Sequence, residues 1–125
     1  MAVRPKRVLL CFDGSELSRR ALEAAAALVG YGSTLAVANV AREETHEADL
    51  ILREAREDLL HRGLTATYLP LFGDPADRLV QAALELGADL VVVGRRGREG
   101  TPDGALGRVS AGVVNRAPCD VLVVT

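Results

Sequence analysis

Aromatic residues are scarce in this chain, which has no tryptophan and only 3% aromatic residues among its 125. Proteins that bind single-stranded nucleic acid commonly stack bases on aromatic side chains. The net charge of −2 also gives no general attraction for a phosphate backbone. We therefore expect no nucleic-acid partner.

Lysine is almost absent, since Lys6 is the only one and precedes the first predicted strand. A P-loop requires a lysine in the pattern GxxxxGK[ST], so this motif is excluded. The dinucleotide fingerprint GxGxxG must lie between a strand and a helix. Gly30-Tyr31-Gly32 lies between a helix and a strand, so it does not fit that motif either.

Long hydrophobic runs are also lacking, because the apolar runs are four to six residues long. A transmembrane helix needs roughly 20 apolar residues. The first apolar run stops at Asp13, which is too early for a secretory signal. We expect no membrane association and a cytoplasmic location.

The sequence has two cysteines, Cys11 and Cys119, without a CxxC pair. His46 and His61 lie among charged residues of one predicted helix and lack the spacing of zinc ligands. We expect no metal site in the protein. The cysteines are predicted to lie at opposite ends of parallel strands, so both thiols should be free.

Strands and helices are predicted to alternate along the chain, which indicates one α/β domain over residues 1–125 with a parallel sheet covered on both faces. Gly63 should end the second helix, Thr45 should cap it, and Pro70 is typical of a strand end or of an edge strand. The predicted strands cover residues 7–12, 34–40, 64–71, 89–93 and 121–124. The predicted helices cover residues 15–29, 45–62, 75–86 and 107–116.

Two loops follow predicted strands at their carboxyl ends, where open parallel sheets bind ligands. The first is Asp13-Gly14-Ser15, whose alternative role is only a helix cap. The second is the segment 94–112, which holds six of the twelve glycines and leads into the last helix. Its amides could hold phosphate, although a solvated connection would explain it too.

The spacing Gly94-x2-Gly97-x9-Gly107 resembles the G-x2-G-x9-G-[S/T] motif of ATP-binding members of the universal stress protein family. Three longer stretches are similar to that family: CFDGSELSRRAL, GDPADRLVQAALELGADLVVVGRRG and GRVSAGVVNRAPCDVLVV. Together they cover nearly the whole chain. The link around residues 42–47 is shorter than the family usually has.

The resemblance implies an open five-stranded parallel sheet of order 3-2-1-4-5, of the adenine nucleotide alpha hydrolase-like kind. It implies that ATP, ADP or AMP is bound, with Mg²⁺ accompanying a triphosphate. It also implies a homodimer formed through the fifth strand. Adenine would lie at Asp13 and Val40, and the ribose and phosphates would lie along Gly94, Gly97, Gly107, Val109 and Ser110.

Arg108 departs from the motif, because it stands where the family has Ser or Thr. Its guanidinium could contact phosphate, fill the phosphate site or point to solvent.

Three functions are compatible with the sequence: an adenine-nucleotide-binding regulatory or stress-response protein, a dimeric interaction module without nucleotide, and a slow ATPase or self-phosphorylating protein. No general base is evident beyond Asp13, which fits a ribose-binding or capping role better. We therefore assign no catalytic residue.

Overall fold

Strands and helices alternate from one end of the chain to the other in the computed structural model, which describes residues 4–96 and 106–125. The strands are β1 (Arg7–Cys11), β2 (Thr34–Ala41), β3 (Thr67–Phe72), β4 (Leu90–Gly94) and β5 (Asp120–Val124). The helices are α1 (Glu16–Leu28), α2 (Glu47–His61), α3 (Pro75–Leu86) and α4 (Arg108–Arg116).

The strands form one parallel sheet in the order β3-β2-β1-β4-β5. This confirms the predicted fold class and strand order. β1 pairs with β2 on one side and with β4 on the other. The chain therefore reverses its direction of winding at β1, and the loops after β1 and β4 open on either side of one crevice.

The sheet has an apolar layer on each face, because successive strand residues point to opposite sides. Leu10 packs with α1 and α2 on one face. Leu9 packs with α3 and α4 on the other. Among residues 4–96 and 106–125, none of the helices has the length and apolar character needed to cross a membrane.

β3 begins later than predicted, at Thr67 and not at residue 64. Its pairing with β2 starts at Thr67 opposite Ala36. Leu64 and Ala66 instead pack against the core beside α2, so their apolar character reflects burial and not strand pairing. β3 is an edge strand, which confirms the interpretation of Pro70.

The start of α2 also differs from the prediction. His46 is the N-cap residue and its side chain makes no capping hydrogen bond. Thr45 acts one residue earlier, where its Oγ1 accepts from the Glu47 amide at 3.2 Å. Thr45 therefore still stabilises the first turn of α2, because it forms a Ser/Thr turn just before the helix.

Both cysteines have free thiols, in agreement with the sequence prediction. Cys11 ends β1, whereas Cys119 directly precedes β5. Because β1 and β5 run parallel on either side of β4, these positions lie at opposite ends of the sheet.

α4 lies against α3 at Gly112, where there is no room for a side chain. A Cβ atom added at Gly112 would lie 2.6 Å from the Cβ of Ala76. An ion pair between Arg116 and Asp77 joins the same two helices. This close packing fixes the position of α4 and directs its amino end toward the carboxyl ends of the strands.

Candidate functional site

A cleft of about 900 Å³ lies at the carboxyl ends of the strands, between the loops that follow β1, β2, β3 and β4. Its volume is in the range of small-molecule sites. Gly97 lies outside the described residues. The other predicted site residues all line the cleft: Asp13, Val40, Gly94, Gly107, Arg108, Val109 and Ser110.

The turn after β1 places Asp13 at the cleft and starts α1. Asp13 Oδ1 accepts from the Ser15 amide at 2.9 Å, and Gly14 has a positive φ of 81° that favours glycine. Ser15 is the N-cap of α1, and its Oγ accepts from the Ser18 amide at 3.2 Å. Ser15 therefore caps α1, and the same turn places Asp13 in the cleft, so the two roles do not exclude each other.

β2 contributes Val40 and also Asn39, a residue that the sequence analysis missed. Asn39 lines the cleft and is 5% exposed. Its Nδ2 donates to the carbonyl oxygen of Phe12 at 2.9 Å, which ties the end of β1 to β2. An asparagine in the otherwise apolar stretch LAVANVA was the available signal, because a buried amide needs a partner or a function.

The segment after β4 brings the backbone of Gly94 and Gly107 close to neighbouring chain. A Cβ at Gly94 would lie 3.1 Å from the Cβ of Leu17, and one at Gly107 would lie 3.1 Å from the Cα of Arg96. The Gly107 amide donates to the carbonyl oxygen of Arg95 at 2.8 Å. The two ends of the glycine-rich segment thus meet at the cleft.

Ser110 holds the first turn of α4 to this point. Its hydroxyl lies 2.6 Å from the carbonyl oxygen of Arg95 and 3.1 Å from that of Gly107, and the side chain is buried. The single hydroxyl hydrogen is therefore directed at backbone carbonyls. In the structure Ser110 can offer the cleft its backbone amide, whereas its hydroxyl hydrogen is engaged.

The amino end of α4 is electrostatically positive and lacks a side-chain cap. Gly107 is its N-cap and makes no capping hydrogen bond through a side chain. Arg108, exposed at the first helical position, adds a positive charge where the helix dipole is also positive. Such a helix end favours an anion.

The Cys11 thiol also lines the cleft. Burial, together with the nearby charge of Asp13, raises the pKa of Cys11 to about 12. The thiol therefore stays protonated at neutral pH and is a poor nucleophile.

The match to known proteins extends over nearly the whole chain. The sequence model of the universal stress protein family matches residues 5–125. The chain belongs to the universal stress protein family. A curated relative, universal stress protein Rv1636 of Mycobacterium tuberculosis, is 34% identical over 139 residues, which cover 95% of each chain.

Solved structures of other proteins share the fold. One, a universal stress protein in complex with cAMP, is 34% identical, covers 98% of each chain and has a TM-score of 0.82. Another, the hypothetical protein MJ0577, has a TM-score of 0.87, covers 98% of this chain and 96% of its own, and is 23% identical. The second likeness concerns the fold alone.

The charges of this universal stress protein are unevenly distributed around the cleft. Arg96 and Arg108 lie on the side of β4 and α4, and a third lining arginine, Arg42, directly follows β2. Acidic residues line the side of β1, β2 and β3, namely Asp13, Glu43, Glu47 and Asp74. Within the described ranges, no three His, Cys, Asp or Glu side chains are grouped so that they could hold a metal ion.

Proposed function

We propose that this universal stress protein is a regulatory protein that binds an adenine nucleotide in the cleft. The observation that carries the proposal is the amino end of α4, where an uncapped helix terminus and Arg108 together face the cleft. Two positive features at one point oppose each other unless an anion lies between them. The 34% identical relative that was solved with cAMP supports a nucleotide as the source of that anion.

The phosphate groups would lie against the backbone amides of Val109 and Ser110 in the first turn of α4. These amides have no partner within the helix, because the first amides of any α-helix lack one. Gly94 and Gly107 allow a ligand to approach the backbone closely, since neither carries a side chain. Gly97 belongs to the same proposal on the strength of the sequence motif.

The sugar and base would lie at the other end of the cleft, beside Asp13 and Val40. A carboxylate can accept hydrogen bonds from ribose hydroxyls or from a base amine. Val40 lines the cleft near the end of β2, and its side chain packs on the face of the sheet that α3 and α4 cover. The acidic side of the cleft thus suits the part of a nucleotide that carries hydrogen-bond donors, and the basic side suits the phosphates.

The proposal extends to ATP, ADP or AMP, with Mg²⁺ accompanying a triphosphate. Mg²⁺ in nucleotide sites is commonly held by phosphate oxygens and water with one or two carboxylates. Asp13 is the candidate carboxylate near the motif residues. When bound, the ion would neutralise phosphate charge. Binding, and not turnover, is the proposed activity.

We infer also that two copies pair through β5. This strand lies at the edge of the sheet, and Leu122 is 36% exposed on it. Exposed edge strands readily pair with another strand, and a two-fold axis would pair β5 with its own copy. Two free thiols fit a reducing compartment, so the proposal places the protein in the cytoplasm.

Titration calorimetry with ATP, AMP and cAMP, in the presence of magnesium, tests the proposal. Gly107→Val should weaken all of these ligands together, because its side chain meets the backbone of Arg96. Asp13→Ala should do the same from the sugar end. Leu106→Ala, which removes an exposed side chain next to Gly107, is the matched control and should keep the affinity.

Native mass spectrometry of the purified protein would report nucleotide that co-purifies and the number of subunits. If the wild-type protein binds none of the three ligands at millimolar concentration, the nucleotide proposal is wrong. A dimer without nucleotide would then point to the interaction module.

A further inference from the structure

Asn39 is a buried amide that faces the cleft with one of its groups unpaired. The side chain is 5% exposed and lines the cleft. Its Nδ2 donates to the Phe12 carbonyl oxygen at 2.9 Å. Since a carbonyl oxygen can only accept, this hydrogen bond fixes which end of the amide is nitrogen and which is oxygen.

The orientation leaves Asn39 Oδ1 as an acceptor without a donor among the described residues. In the described part of the chain, the fully buried side-chain polar atoms that lack a hydrogen-bond partner are Arg78 Nε and Arg95 Nε. Asn39 Oδ1 is not one of them, although it has no donor. The oxygen is therefore open to the cleft and not sealed in the core. An almost buried acceptor with open access is suited to a donor on a ligand.

The surroundings of Asn39 fit a flat, partly apolar group that carries such a donor. Ser18 of α1 and Ile51 of α2 line the cleft on the same face of the sheet. Ile51 also packs against the apolar core. Asp13 follows Phe12 directly and Val40 follows Asn39, so the Asn39 amide lies beside the residues proposed to hold the sugar and the base.

We propose that Asn39 is the residue by which this cleft selects a 6-aminopurine, with its Oδ1 accepting a hydrogen bond from the exocyclic amine of the base. Asparagine commonly contacts this amine of adenine when proteins recognise the base. A 6-oxopurine would place an oxygen against Oδ1, so two acceptors would face each other. The inference rests on the proposed function, since it identifies the base of the nucleotide bound there.

The first arm of the test changes the ligand and leaves the protein intact. Wild-type protein is titrated with AMP, IMP and purine riboside 5′-monophosphate, which lacks the amine and is otherwise the same as AMP. We expect AMP to bind about tenfold more tightly than either, the size of a single lost hydrogen bond to a buried group. Failure to bind AMP at all would reject the nucleotide proposal itself. Equal binding of all three would reject only the role of Asn39.

The second arm changes Asn39 by two matched substitutions. Asn39→Ala and Asn39→Asp both remove the donor to Phe12, but Asn39→Asp keeps an acceptor at the position of Oδ1. The preference for AMP over purine riboside 5′-monophosphate should disappear in Asn39→Ala and persist in Asn39→Asp. A residue with a purely structural role would weaken both ligands equally and leave their ratio unchanged.

Asn39→Leu serves where Asn39→Ala does not fold, because it has a similar shape and removes both polar atoms. Ser33→Ala is the control for the loss of a polar side chain outside the cleft, since the Ser33 hydroxyl donates to the carbonyl oxygen of Pro5 at 2.8 Å. It should retain the preference for AMP. A full preference in Asn39→Ala or Asn39→Leu would overturn the assignment.

Discussion

Ser110 Oγ lies 2.6 Å from the carbonyl oxygen of Arg95 and so joins the first turn of α4 to the residue after β4. The Gly107 amide donates to the same carbonyl at 2.8 Å. The Arg95 carbonyl oxygen therefore accepts from the Gly107 amide and from the Ser110 hydroxyl, which lie at the two ends of the first turn of α4. These two bonds hold the helix terminus at the cleft.

Ser110→Ala should destabilise the protein and weaken nucleotide binding. The Arg95 carbonyl oxygen keeps its hydrogen bond from the Gly107 amide, so the loss of the Ser110 bond should cost about 0.5–1.5 kcal/mol of unfolding free energy. Urea denaturation and calorimetry measure the two effects. Ser18→Ala also removes a buried hydroxyl that donates to a carbonyl of the preceding turn, so it should lower stability by a similar amount. Phosphate affinity that falls as much in Ser18→Ala as in Ser110→Ala would contradict this role of Ser110.

Arg108→Ala tests what the cation at the start of α4 does. If the guanidinium contacts the terminal phosphates, ATP should weaken more than AMP, by about 1.5–3 kcal/mol for a charged hydrogen bond. Calorimetry with both ligands measures the difference. Arg116→Ala removes an arginine from the other end of α4, where it pairs with Asp77, and should leave the ratio unchanged. Tighter ATP binding by Arg108→Ala would show instead that the side chain blocks the site.

Val123→Pro should prevent dimerisation and leave the subunit folded. The Val124 carbonyl accepts from the Arg95 amide, so the backbone polar groups of Val124 face β4. Those of Val123 face the outer edge, because successive strand residues alternate. Proline at residue 123 thus removes a donor that only a second copy could use, whereas Val124→Pro should disturb the fold itself. Sedimentation gives the subunit count, and a dimeric Val123→Pro variant would exclude this interface.

Asp89 should make stability depend on pH in acid. Hydrogen bonds from the Lys6 and Arg7 amides, at 2.8 and 3.0 Å, lower the pKa of Asp89 below its ordinary value. A carboxyl whose pKa is lower in the folded state stabilises the fold above its unfolded pKa of about 4, and this contribution is lost as the pH falls through the folded value. Asp89→Asn should therefore be less stable than wild type at pH 7, with the difference narrowing below pH 4. Urea titrations across this range would contradict the assignment if the difference stayed constant.

The order of strands and helices could be predicted because it depends on local features of the sequence. These are the spacing of apolar residues and the glycines at helix ends. Strand order needed the family resemblance, since nothing local states which strands pair. The start of β3 was wrong because Leu64 is apolar for packing beside α2, a contact that only the fold creates.

Residues of the candidate site that follow a motif could be named from the sequence, whereas residues that depend on contacts could not. Gly94 and Gly107 were identified by spacing. Asn39 belongs to no motif, and its hydrogen bond depends on Phe12, which lies 27 residues away in the sequence. The hydrogen bond from the Ser110 hydroxyl to the Arg95 carbonyl oxygen could not be predicted either, because it depends on how the two ends of the glycine-rich segment come together.

Arg95 is bonded in two directions, through its amide to Val124 on the last strand and through its carbonyl to the start of α4. Arg95 thus joins the edge strand β5 to the amino end of α4. If two copies pair through β5 and this pairing changes the affinity of the cleft for its ligand, the coupling must be reciprocal. If dimerisation through β5 raised the affinity for the ligand by some factor, the ligand would raise the affinity of dimerisation by the same factor. The ligand concentration needed for half-saturation would then depend on the protein concentration.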